Sequence, residues 1–163
     1  MLLNFRVWLK SSGIWSAAIA AAIAIPVFAE ETANFGTLTL SRGFQPSTAV
    51  LRGSTGGSYS LSAIANSDLH KNKCLGFAAP TPDHILILQQ DFSRLTLAIN
   101  TGGKDTTLLI SGPDGSTVHC GDDTAQNKDA SIADSGWKAG TYRIWVGTIE
   151  SGAKYKYTLS VQE

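Results

Sequence analysis

From Asn34 onward the apolar residues fall in short runs of alternating or β-branched residues, separated by Gly, Pro, Asn, Asp and Ser. Nowhere in that stretch do they hold the helical period of about 3.6 residues for three turns. This is strand and turn punctuation, and it argues against long helices. The clearest strands are expected at residues 37–40, 60–64, 84–88, 94–99, 106–110, 141–146 and 154–161. Alternation is cleanest where Leu95, Leu97 and Ile99 oppose Arg94, Thr96 and Ala98, and where Tyr155, Tyr157, Leu159 and Val161 oppose Lys154, Lys156, Thr158 and Ser160. Each such strand puts one face in a core and one in water. Gly102-Gly103, Gly112-Pro113-Asp114-Gly115 and Ala139-Gly140 supply the positive φ that tight hairpins demand. The expectation is an all-β fold, an antiparallel β-sandwich of jelly-roll type. Residues 41–58 and 125–135 read as ordered polar loops within it, and no internal repeat is visible.

The N-terminus has a different character. Arg6 and Lys10 precede an uncharged stretch whose apolar core runs from Ile14 to Ile25, ended by Pro26 and by Val27-Phe28-Ala29, a boundary that signal peptidase accepts. The apolar core is a dozen residues, short of the roughly 20 that a spanning helix needs. Residues 1–29 are therefore expected to be a cleaved signal peptide, and residues 30–163 a single secreted or periplasmic domain with no membrane span. The mature part would carry 11 basic and 13 acidic residues. That balance shows neither a nucleic-acid footprint nor a polybasic membrane patch.

The two cysteines, Cys74 and Cys120, meet oxidising conditions on export, so a disulfide is expected. Closing such a loop stabilises a fold by roughly 4 kcal/mol in the chain-entropy model. Metal ligation by these cysteines with His70, His84 and His119 lacks the paired spacings of structural zinc sites.

No catalytic set assembles from the sequence, and the chain is read as a non-enzyme. Gly53-Ser54-Thr55-Gly56-Gly57 resembles a protease nucleophile loop, but all three histidines follow it, against the order of the trypsin-like triad. Asp83 and His84 are neighbours on one strand and point to opposite faces, so the carboxylate cannot orient the imidazole. Trp145, in a run apolar on both sides, is assigned to the core. Tyr155 and Tyr157 share a face and are candidate ligand-stacking residues.

Asp105, Asp114, Asp122, Asp123, Asp129 and Asp134 all lie in or beside turns. Adjacent carboxylates repel unless a cation lies between them, and no Lys or Arg falls between Gly112 and Gln126. A hairpin at Gly112–Gly115 would carry the returning strand toward Cys120 and bring Asp122 and Asp123 to Asp105. A Ca²⁺ site is therefore a candidate, with Asp105, Asp122 and Asp123 as ligands and Asp114 as a further one.

Five ordered blocks carry a family resemblance: Cys74-Leu75-Gly76-Phe77, Pro82-Asp83-His84, Asp105 to Ile110 with Gly112 to Gly115, Cys120-Gly121-Asp122-Asp123, and Gly140 to Gly147. Together they resemble the bacterial pre-peptidase C-terminal domain family, especially its small stand-alone exported versions. The resemblance covers about residues 35–161 and implies a non-catalytic jelly-roll sandwich, sometimes Ca²⁺-binding, sometimes polymer-binding. The function expected is an exported binding or structural module that contacts an envelope or extracellular protein or polysaccharide. The alternatives are an inhibitor or accessory partner of a separate protease, and a small secreted hydrolase.

Overall fold

The computed structural model describes residues 32–124 and 127–163. The expected signal peptide lies outside the described residues. In chain order the strands are β1 (Gly36–Leu40), β2 (Val50–Ser54), β3 (Tyr59–Ser60), β4 (Phe77–Ala78), β5 (His84–Leu88), β6 (Phe92–Asn100), β7 (Thr106–Ser111), β8 (Val118–Gly121), β9 (Ser131–Trp137), β10 (Gly140–Thr148) and β11 (Lys156–Gln162). They form two sheets, as expected for a β-sandwich. One sheet runs β1-β5-β10-β7-β8, with the short β4 and β3 continuing beyond β5 along β10. The other runs β2-β11-β6-β9. Among the described residues no helix is long and apolar enough to cross a membrane.

One pair departs from the antiparallel expectation: β1 lies parallel to β5, with Gly36 opposite His84 and Leu40 opposite Leu88. The chain between them crosses to the other sheet to form β2, and that crossover lets β5 return in the same direction as β1.

Three more expectations are corrected. The strand expected at 60–64 ends at Ser60, and Leu61–Ala63 form a 3₁₀ turn. That turn buries Leu61 and brings Ile64 and Ala65 against the same cluster, a spacing that suits a helical turn better than a strand. The loop expected at 41–58 contains β2, which pairs with β11 from Lys156↔Ser54 to Ser160↔Val50. The loop expected at 125–135 gives way to β9, which pairs with β6 from Phe92↔Trp137 to Ala98↔Ser131. Both strands are sheet edges rich in small or polar residues, so pairing to a strongly patterned neighbour, rather than their own propensity, makes them strands.

The main core fills the space between the sheets. Leu86, Leu88, Leu108, Ile110, Tyr142, Ile144 and Val146 meet Leu95, Leu97, Ile99, Ile132, Trp137, Tyr157, Leu159 and Val161 there. A smaller cluster lies on the outside of the first sheet, where Leu109, Val118, Cys120 and Trp145 pack against Leu61, Cys74 and Ala78. That second layer is why every residue of β7 is buried, and it confirms Trp145 as a core residue.

Candidate functional site

Cys74 and Cys120 are joined as a disulfide, their Cα atoms 5.2 Å apart. The β7–β8 hairpin turns at the expected Gly112–Gly115 segment and sets Leu108 opposite Gly121. The start of β7 therefore lies beside the chain that leaves β8, and the ligand oxygens of Asp105, Asp122 and Asp123 come within 4.8 Å of one another. Gly121 is required at this crossing, because a Cβ there would stand 2.4 Å from the Ser131 carbonyl oxygen.

Inside the cluster, Asp122 Oδ1 is buried and accepts no hydrogen bond. Burial first, and then the charge of Asp123, push the Asp122 carboxyl above its ordinary pKa. Lys128, just beyond the segment that lacks basic residues, places Nζ 2.7 Å from Asp105 Oδ2, and this bond raises the lysine's own pKa. The fourth candidate does not join. Asp114 spends its carboxylate within its own turn, accepting from the backbone and hydroxyls of Ser116 and Thr117, and these bonds lower its pKa to about 2.

The two tyrosines part company. Tyr157 is buried, edge-on to Phe35 and His84, with its hydroxyl 2.8 Å from His84 Nε2. It has no surface to offer a ligand, which corrects its assignment as a stacking residue. Tyr155 precedes β11, half-buried, with Lys104 Nζ 5.7 Å from its ring centre.

The groups weighed for catalysis are occupied by the fold. Thr55 Oγ1 donates to Ala153 O and accepts from the Tyr155 amide. Asp83 Oδ2 accepts from the Val146 amide and Oδ1 from Asn34, so it does not orient His84. Burial nonetheless raises Asp83 to about 6 and lowers His84 to about 4.

Sequence reasoning missed one arrangement. Asp134 Oδ2 sits 2.9 Å from both His70 Nε2 and His119 Nδ1, and His119 stacks on Trp137 at 4.3 Å. These side chains line a cleft of about 350 Å³ that Leu69, Pro113 and Lys138 also border. No spacing could have found it, since His70 and His119 lie 64 and 15 residues from Asp134. The disulfide brings the first loop to β8, and the contact of β8 with β9 brings Asp134.

Fold and site together define a disulfide-closed, two-sheet β-sandwich with a carboxylate cluster at one end of its β7–β8 hairpin. No family model matches the chain, and no curated protein matches it.

Proposed function

We propose that this is an exported, non-catalytic binding module of the pre-peptidase C-terminal type, directed at an envelope or extracellular polysaccharide or protein and steadied by Ca²⁺. One observation carries the reading: Asp105, Asp122 and Asp123 converge, and Asp122 has a buried carboxylate oxygen that accepts no hydrogen bond. Ca²⁺ takes six to eight oxygens at about 2.4 Å, so ligands on opposite sides of the ion stand about 4.8 Å apart. Three carboxylate oxygens within that distance of one another are close enough to share one such ion. The ion would supply charge neutralisation beyond what Lys128 provides, since that lysine makes its direct contact with Asp105 and acts on Asp122 and Asp123 only at longer range. The reading includes export: the mature chain begins at Glu30, which intact mass of the exported product tests.

Thermal or urea melts in millimolar Ca²⁺ and in chelator test the site. A ligand at about 100 times its Kd stabilises the native state by about 2.7 kcal/mol. Lys128→Gln should enlarge the calcium effect, because more repulsion is then left for the ion to relieve. Asp122→Asn with Asp123→Asn should abolish it. Superimposable melts with and without the ion would remove the site.

The hydrolase reading has one observation in its favour, the His70–Asp134–His119 cleft, where a carboxylate orients a partly exposed imidazole. Ester, peptide and glycan panels decide between the two. Turnover abolished by His70→Ala would replace the binding-module reading.

A further inference from the structure

The two sheets differ in what covers their outer faces. The second core cluster lies on the outside of the first sheet, whereas nothing among the described residues covers the outside of the second. Cross-strand register fixes what stands on that open face. Leu97, Ile99, Ile132, Leu159 and Val161 point inward, so their neighbours Thr96, Ala98, Ser131, Thr158 and Ser160 point out. The same register puts Arg52, Arg94 and Lys156 outward, and all three are exposed.

These three are the only charged residues on the outward positions of β2, β11, β6 and β9. Asp134, the acidic residue of β9, pairs with inward-facing Leu95. Among the described residues no carboxylate forms an ion pair with Arg52, Arg94 or Lys156. Arg52 stands opposite Thr158 and donates from Nη1 to its Oγ1 at 3.4 Å, and Lys156 is two residues from Thr158, so the two basic residues are diagonal neighbours whose backbones lie about 7–8 Å apart. Like charges so close and unpaired repel, and an anionic group between them relieves that repulsion. From Arg52 across the small hydroxyl and methyl groups to Arg94 is about 22 Å, taking strand spacing of about 4.8 Å and rise of about 3.3 Å per residue.

We infer that the open face of the β2-β11-β6-β9 sheet binds an anionic polysaccharide, a glycan chain bearing carboxylate or sulfate groups. The occupant follows from charge complementarity and from what the face lacks. Protein interfaces are anchored by aromatic side chains and by arginines in packed, desolvated pockets, and membrane surfaces by an apolar face; Arg52 and Arg94 stand exposed among small residues. Among the described residues, the exposed large apolar side chains, Phe35, Tyr59, Leu69, Leu75 and Ile149, all lie off these four strands. Single-stranded nucleic acid is held on aromatic platforms, and the strands' outward positions carry none. A floor of small hydroxyl and apolar groups between separated cations suits a hydroxylated chain with spaced negative charges.

This inference rests on the binding-module reading, and the experiment separates the two. The exported protein is titrated, in chelator and again in millimolar Ca²⁺, with polygalacturonate, dextran sulfate and neutral dextran, and with duplex DNA and phosphatidylserine vesicles as other polyanions. The expected result is binding to an acidic polysaccharide that weakens with salt and falls about tenfold or more in Arg52→Gln/Arg94→Gln/Lys156→Gln. A matched triple off the face, Arg42→Gln/Lys71→Gln/Lys73→Gln, should bind as the parent does. The inference falls if neither acidic polymer binds, if both triples lose affinity alike, if neutral dextran binds equally, or if DNA or vesicles bind as tightly. Binding that needs Ca²⁺ and ignores the face triple overturns this inference and leaves the module reading intact. Turnover of a polymer overturns that reading itself.

Discussion

At Gly53 the missing side chain is what lets Tyr157 reach His84. A Cβ there would stand 2.4 Å from Tyr157 Oη and 2.9 Å from Phe35 Cδ2, so Gly53→Ala should destabilise the protein by about 1–3 kcal/mol, measured by urea unfolding. Tyr157→Phe should cost a similar amount, about 1–3 kcal/mol, because it strips the buried His84 Nε2 of its partner. The same cluster sets a pH dependence. His84 is held at about 4, below its ordinary 6.5, by burial. Its contribution is therefore fully present above pH 6.5 and is lost as the pH falls through 4. Asp83, raised to about 6 by burial, runs the other way: its contribution is present below 3.8 and lost as the pH rises through 6. The two oppose each other in the parent protein. His84→Gln removes one of them, so the variant's stability relative to the parent should improve by up to about 3 kcal/mol between pH 7 and 4. A difference that stays constant across that range would show that His84 does not titrate this way.

At the scale of the element, the loop between β3 and β4 is organised by one buried carboxylate. Asp68 accepts from the amides of His70, Asn72 and Cys120 and from the Asn72 side chain, and Lys71 turns through a positive φ of 67°. Asp68→Ala should cost about 3 kcal/mol, and the His70–Asp134 contact should weaken with it, seen as a change in the His70 imidazole resonances. None of this showed in the sequence, where Asp68 is one polar residue among several. What was legible was patterning: β6 and β11 declared themselves because inward apolar residues alternate with polar or small ones, and β5 and β10 because their short apolar, β-branched runs are bounded by turn residues. β2 and β9 did not, because Val50-Leu51-Arg52-Gly53-Ser54 and Ser131 to Trp137 owe their extension to β11 and β6. The acidic cluster was legible because a Pro-Asp-Gly turn fixes a hairpin, and a hairpin fixes which residues meet at its open end. The role of Asp114 was misread for the same reason that it was noticed: a turn aspartate satisfies its own turn first. The histidine cleft depends on a loop stapled across the sheet and on two sheet edges meeting, neither of which leaves a local pattern.

In the molecule as a whole, the two apolar clusters are unequal in size and in what secures them. The larger one joins both sheets and contains neither cysteine. The smaller includes Cys74 and Cys120 themselves, and it holds the segment around Leu61 and Ala78 against the outside of one sheet. Losing the disulfide should lower overall stability by about 2–5 kcal/mol, but the loss should not be spread evenly. Without the bond the covering segment keeps the burial of Leu61 and Ala78, the carboxylate of Asp68 and the short β3–β4 pairing of Tyr59 with Ala78. The sandwich keeps all of its inter-sheet packing. Local opening of the weaker unit should therefore precede global unfolding. Hydrogen exchange on Cys74→Ser/Cys120→Ser should show amides between Leu61 and Ala78 losing protection at low denaturant while those of β6 and β11 keep theirs. Trypsin should cut the variant after Lys71 or Lys73 sooner than it cuts the oxidised parent. If both sets of amides exchange together, the outer layer and the sandwich unfold as one unit, and the disulfide secures the whole fold rather than its cover.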